Sequence, residues 1–270
     1  MTIITLTTDW NRNDFYVGAV KGKLLSANPA TRIIDISHQV QPFNILQAAF
    51  ILRNCCYSFP PGTVHLVAVN TALGPKKPLL AFEKQGQFFV ASDNGIVGLL
   101  MNDKPDRIFK VKNSHLASNF MSLDIFVDTA IKISEKQDFD TFLEPVSDYE
   151  SQVPYRPVID KNLINGSVIY VDSYSNAITN ISLDTFDKVG NGKPFEIYIQ
   201  SNHYKLDKIN KTYSDSVSGE LLALFNSVGL LEIAINHGNA AELLNLGINS
   251  AIRIKFYDEK PGSKMTLTGG

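Results

Sequence analysis

The chain has 270 residues, of which 44% are hydrophobic and 19% charged, with a formal charge of −2 and two cysteines. That length accommodates one large domain or two ordinary ones, either able to bury a core without a disulfide or metal staple. The hydrophobic fraction excludes a disordered chain, and the near-neutral balance removes the electrostatic case for a nucleic-acid or anionic-membrane partner.

Residues 3–8 are β-branched and apolar, predict a strand, and end in a polar loop that runs to Asp14. Helical periodicity follows from Tyr16 through Val20, Leu24 and Leu25 and stops at Asn28-Pro29. A short strand is expected at 32–36, a helix at about 45–57, and a central strand in the apolar run 64–69. Residues 79–82 and 88–91 read as a hairpin, Asn94-Gly95 opens a helix toward Met101, and 124–134 reads as another. This alternation predicts an α/β N-terminal domain over 1–145 with a mostly parallel central sheet. Three prolines between Pro145 and Pro157 mark a linker over 146–165. Residues 166–270 are strand-rich, at 168–171, 195–199, 231–235 and 251–255, and predict a smaller all-β domain, a barrel or sandwich.

Cys55 and Cys56 are adjacent, close almost no loop if bridged, and read as buried free thiols. The N-terminus lacks a basic region before Asp9, and no apolar run approaches the ~20 residues a bilayer requires. A cytoplasmic protein is expected.

The sequence carries no phosphate loop, dinucleotide fingerprint, zinc-binding helix motif or nucleophile elbow. The five histidines are dispersed, so no metal site is expected. Polar residues do gather at predicted strand ends: Asp9 and Asp14 after the first, Asn70 after the central one, and Asp93-Asn94-Gly95 after the hairpin. In open α/β sheets ligands bind beyond the carboxyl ends of strands, although Asp and Asn are also ordinary turn formers and caps.

The motifs Thr8-Asp9-x4-Asp14-x-Tyr16-Val17-Gly18, Asp35-Ile36-Ser37-His38 and Ser92-Asp93-Asn94-Gly95 resemble the S-adenosyl-L-methionine hydroxide adenosyltransferase family, which is related to the fluorinase and chlorinase. So do Val168-Ile169-Tyr170-Val171-Asp172-Ser173-Tyr174-x-Asn176 and Asn226-Ser227-x-Gly229-x-Leu231-Glu232-Ile233-Ala234, which runs on to Gly238-Asn239-Ala240. The resemblance implies an α/β domain followed by a β-barrel, a homotrimer, and an adenosyl ligand held at subunit interfaces. It places Asp9 on the ribose hydroxyls, Asp172 on the methionine ammonium and Asn176 on the adenine edge. Tyr174 stands for the usual aromatic partner of the base, and Phe120 for the aromatic that lines the pocket. Asp14, Ser227, Asn239 and Ala240 complete the implied binding set. No cofactor is implied, with S-adenosyl-L-methionine itself the substrate or ligand.

Hydrolytic members of that family resemble one another in an Asp–Arg–His set that delivers hydroxide, and here this chain departs from them. The Asp position is Asn70, the Arg position falls on a lysine assigned as Lys77, and the His position is Met121. Asn70 cannot take a proton, Met121 is neither donor nor base, and Lys77 keeps charge without the planar fork. Ser122 matches a serine of the fluorinase, but Leu73 stands where that enzyme offers a hydroxyl. Two readings stay open. One is a weak S-adenosyl-L-methionine hydrolase, working slowly or with a rearranged base such as Asp14 or Asp124. The other is a non-catalytic sensor or carrier that has lost water activation.

Overall fold

The computed structural model describes residues 2–74, 76–101, 103–112, 120 and 122–259, the side chains of Ser122 and Leu123 excepted. Two compact units divide at Pro154 and Tyr155.

The first unit is layered around a sheet in the order β2 (Arg32–Ser37), β1 (Ile3–Thr8), β3 (Val64–Ala68), β5 (Gln87–Ser92), β4 (Leu79–Lys84), β6 (Arg107–Val111) and β7 (Leu143–Pro145). The expected mostly parallel sheet is instead mixed. The β2–β1, β1–β3 and β3–β5 pairs are parallel, but β5–β4, β4–β6 and β6–β7 are antiparallel. The tight Gln85-Gly86 turn, both residues at positive φ, sends β5 back along β4, and no helix intervenes to make a crossover there.

β3 is buried at every position because both sheet faces are covered. Helices α1 (Phe15–Ala27) and α4 (Val127–Ser134) pack Val20, Leu24, Val127 and Ala130 against Leu6, Leu66 and Val90. Helices α2 (Ile45–Arg53) and α3 (Ile96–Leu100) cover the other face with Ala48, Leu52, Val97 and Leu100 against Val67, Phe89 and Ala91. α2 is shorter than expected, ending at Arg53, and a 3-10 turn at Cys56–Ser58 replaces its last turn. Cys55 and Cys56 are both free, and burial pushes the Cys56 thiol up to about 11. The helix expected from Asp124 opens as a π-turn over Ser122–Phe126 and becomes α-helical at Val127.

The second unit is a nearly closed antiparallel barrel. Its path runs β12 (Tyr204–Leu206), β11 (Phe195–Ile199), β15 (Ala251–Phe256), β9 (Leu163–Val171), β10 (Ala177–Ser182), β14 (Leu230–Ile235) and β13 (Leu221–Phe225), with β8 (Val158–Asp160) beside β9. A bridge between Asn210 and Leu224 brings the chain beyond β12 back to β13. Residues 158–165, read from sequence as linker, are therefore β8 and the start of β9. β9 changes partner midway, pairing β15 through Ser167 and β10 from Val168. Gly166 sits at that switch, where a Cβ would lie 2.4 Å from Ile181 Cγ1, so only glycine allows the strands to close there. Helix α5 (Leu183–Gly190), which the sequence pattern did not reveal, is capped by Ser182, whose hydroxyl accepts from Thr185 N at 3.1 Å. Among the described residues no helix is long and apolar enough to cross a membrane.

A polar line crosses the first sheet. The Thr5 hydroxyl is 2.7 Å from His65 Nδ1, His65 Nε2 is 2.9 Å from Gln87 Oε1, and Gln87 Nε2 donates to Phe59 O at 2.7 Å. These partners are mutually satisfied by one neutral tautomer, with Thr5 donating to Nδ1 and Nε2–H donating to Gln87. Burial pulls the His65 ring down to about 4, against a smaller opposing effect of the Gln87 bond. The folded value lies below the ordinary 6.5, so the unfolded chain binds the extra proton. Stability is therefore full above pH 6.5 and falls by up to about 1.4 kcal/mol per pH unit down to about pH 4. Urea titrations across that range should show this slope in the wild type and lose it in His65→Asn.

Candidate functional site

Asp9 follows β1, and its Oδ2 accepts from Phe43 N at 2.9 Å and Asn70 N at 3.2 Å. Both donors lie in the left-handed region, Phe43 at φ 66° and Asn70 at φ 51°. Asn tolerates that conformation, whereas a bulky Phe there is an outlier. The Phe43 ring is 73% exposed. Asn94, after β5, donates its amide to Val69 O at 3.2 Å and Asn70 O at 3.1 Å, while its Oδ1 accepts from Ile96 N at the head of α3. Asp9, Asn70 and Asn94 thus meet at the carboxyl ends of β1, β3 and β5. Among the described residues no donor reaches Asp9 Oδ1.

Other expected members do not join this group. Asp14 is exposed at the N-cap of α1 without a side-chain cap bond, and Asp93 turns away to accept from Glu150 N at 2.8 Å. Burial raises the Asp93 carboxyl, and the nearby Glu150 charge adds to that against the bond from its backbone. Lys77 is exposed, its backbone bridged to Gly74. Phe120 packs at 4.9 Å from the Tyr16 ring and 5.7 Å from Trp10, next to Asp9 in sequence. Met121 lies outside the described residues, as does the Ser122 side chain. Asp124 is paired with Lys23 at 3.4 Å.

Beside this group, His38 is 1% exposed, with Nδ1 2.8 Å from the Thr8 hydroxyl and Nε2 3.2 Å from Asp35 Oδ1, off hydrogen-bond geometry. Burial raises the Asp35 carboxyl, but Lys21 at 2.6 Å and His38 outweigh it and leave it lowered. The His38 carbonyl accepts from Asn11 N at 2.8 Å, which fixes the turn that follows Asp9.

The barrel carries a cavity of about 680 Å³, lined by Asp172, Tyr174, Asn176, Tyr213, Asn236 and Asn239 among others. Asp172 Oδ1 accepts from Tyr174 N at 2.9 Å and Asn176 N at 2.8 Å, folding residues 172–176 into a tight Asx loop. Oδ2 accepts from Asn176 Nδ2 at 3.1 Å, so these two expected binders are bonded to each other. Asn176 is buried, whereas the Tyr174 side chain is 76% exposed. Ala241 N donates to Ser175 O at 2.8 Å, which joins this loop to α6 (Ala240–Leu243), with Asn239 at its N-cap and Ala240 buried. His237, at φ 54°, and Gly238 shape the other wall, and a Cβ on Gly238 would meet Ile235 Cγ2 at 2.5 Å. Ser227 does not reach the cavity. It sits in the β13–β14 turn, before the start of β14, where Leu230 pairs with Ser182.

Sequence reasoning missed Tyr213, which enters from the loop before β13 and donates to Glu232 Oε1 at 2.6 Å. Burial, then Glu232, then the Asp172 charge hold the Tyr213 phenol above its ordinary range. Glu232 is 2% exposed and also accepts from Asn226 Nδ2 at 3.1 Å. A glutamate inside an apolar strand was the available signal, since a buried carboxylate needs donors from elsewhere.

The model of the SAM hydroxide adenosyltransferase N-terminal domain matches residues 4–143, and that of the C-terminal domain matches 166–253. The chain belongs to the SAM hydroxide adenosyltransferase family. The (R)-S-adenosyl-L-methionine hydrolase of Methanocaldococcus jannaschii is 32% identical over 268 residues, covering 94% of this chain and 96% of that protein. A fluorinase of Nocardia brasiliensis is 23% identical, covering 94% and 96%. The crystal structure of an uncharacterized conserved protein from Thermotoga maritima superposes with a TM-score of 0.83 at 29% identity, covering 94% of this chain and all of that one. Within this family member, Asp9 anchors two left-handed backbone positions, of which Phe43 is the strained one. Asp9→Ala is expected to cost about 1–2 kcal/mol in urea denaturation, because both N–H groups lose a charged acceptor. Asp14→Ala, at an exposed position, should stay within about 0.5 kcal/mol.

Proposed function

We propose that the chain binds S-adenosyl-L-methionine and hydrolyses it slowly to adenosine and methionine. The observation that carries this reading is the barrel cavity, where one carboxylate and several amides converge in a chain whose relative is a named hydrolase. The Asp172 carboxylate suits the methionine ammonium, and the Asn176 and Asn239 amides suit a purine edge. Tyr174 offers a ring face to the base. Asp9 Oδ1 suits the ribose diol, with Phe120 and the exposed Phe43 ring as apolar neighbours. The family assembly is read here as a cytoplasmic homotrimer with ligand at subunit interfaces. The large exposed aromatics Phe15, Phe43 and Tyr174 favour a covered surface.

In the reaction an oxygen–C5′ bond forms as the C5′–sulfur bond breaks, and the electron pair leaves on a neutral thioether. No cofactor is needed, because the sulfonium is its own activated leaving group. An anionic nucleophile and a cationic electrophile neutralise each other, so a dry pocket favours the transition state. Water must still lose a proton, and here Asn70 can orient it but cannot accept the proton. A general base contributes about 10²–10⁴ in rate, so turnover is slow. The same replacement supports a second reading, a sensor that binds without turnover.

Adenosine release followed by chromatography, beside calorimetric titration with S-adenosyl-L-methionine, distinguishes the two. Release that disappears in Asp9→Ala supports hydrolysis, and tight binding without release supports the sensor. If neither S-adenosyl-L-methionine nor adenosine binds at millimolar concentration, both readings are refuted. Asn70→Asp, Lys77→Arg and Met121→His together should raise turnover by about 10²-fold or more. Light scattering should return three times the chain mass.

A further inference from the structure

A second cavity, of about 450 Å³, opens on the outside of the barrel and is lined in part by Asn162, Tyr198, Asn202, Arg253 and Lys255. β15 alternates strictly: Ile252, Ile254 and Phe256 enter the core, so Arg253 and Lys255 share the outer face, about 7 Å apart along the strand. Tyr198 and Glu196 of β11 stand directly opposite them in the ladder.

The charges in this groove are not balanced. The Glu196 carboxylate is consumed: Oε1 accepts from Lys205 at 2.7 Å, and Oε2 accepts from the Tyr198 and Tyr257 hydroxyls at 2.5 and 2.7 Å. The Lys205, Tyr198 and Tyr257 bonds pull it down to about 2, against a smaller effect of burial. Asp258 is likewise paired, with Lys193 at 2.9 Å, and Asp160 lies two strands from Lys255, across β9. Arg253 and Lys255 have no carboxylate within 4 Å among the described residues.

Arg253 is nevertheless held in place. Its guanidinium lies 4.8 Å from the Tyr198 ring centroid, and one N–H donates to Asn202 Oδ1 at 2.6 Å. A stacked guanidinium with one N–H engaged keeps most of its donor fork in the plane, the arrangement that matches phosphoryl oxygens. Lys255 lies over Tyr257, its Nζ 5.0 Å from the ring centroid. A groove of this volume accommodates a small metabolite.

We propose that this groove binds a phosphate-bearing small molecule, its phosphoryl oxygens on Arg253 and Lys255 and its remainder between Tyr198, Asn162 and Asn202. The assignment is independent of the adenosyl reading, which uses none of these residues.

Calorimetry of the full chain with pyrophosphate tests it, with inorganic phosphate and ATP as separate arms. Saturable pyrophosphate binding is expected, weakened about tenfold by Arg253→Gln and about tenfold more by adding Lys255→Gln. Lys188→Gln, at an exposed lysine paired with Asp184, should leave it unchanged. ATP tighter than pyrophosphate and weakened in parallel by Arg253→Gln assigns a nucleotide, and equal affinities with the same weakening assign a simple polyphosphate. Both outcomes support the site. If Arg253→Gln fails to fold, Arg253→Lys keeps charge and stem and should weaken binding severalfold through loss of the fork. Absence of saturable binding in all three arms, or pyrophosphate affinity indifferent to both Arg253 variants, overturns the proposal.

Discussion

The first unit depends on one carboxylate oxygen. Asp9 Oδ2 receives N–H groups from two segments distant in sequence, the loop before α2 and the end of β3. Both donors occupy the left-handed region, which Asn70 tolerates but which Phe43 has little reason to adopt alone. The carboxylate oxygen therefore holds both turns together, while among the described residues no donor reaches its partner Oδ1. Asn94 holds the same turn from the other side through the Val69 and Asn70 carbonyls. In the ribose-binding role proposed for it, a carboxylate clamped this way would be rigid before any ligand arrives, which would lower the ordering cost of association.

The barrel repeats this logic with different chemistry. Its cavity is shaped by short loops locked through side chain to backbone bonds, and the buried Glu232 ties Tyr213 to β14. Hydrogen bonding is what makes a glutamate tolerable in the core, and the same bonds orient a phenol at the cavity wall. The acid-labile line through His65 belongs to the scaffold, since its partners Thr5 and Gln87 lie within the sheet.

Much of this was legible in the residues. Continuous apolar runs such as Val64–Ala68 betray strands covered on both faces, and Asp9, Asn70 and Asn94 sit where ligands gather in such sheets. Motif resemblance reached Asp172 and Asn176 as well. Strand order was not legible, because a hairpin such as β4–β5 reads the same beside a parallel or an antiparallel neighbour. α5 was hidden by its low apolar content, and Tyr213 by a contact across 19 positions. Ser227 shows the opposite limit: it belongs to the same motif as Asn239, yet only Asn239 is among the residues that line the cavity.

The bond between Asp172 and Asn176 has a thermodynamic consequence. A group that draws on the carboxylate weakens its hold on the amide, and a group that engages the amide frees the carboxylate. The two halves of a ligand that spanned both residues would then be recognised jointly, with an interaction energy that neither fragment reveals alone. Truncated ligands would understate the whole, and single substitutions at the two positions would not sum.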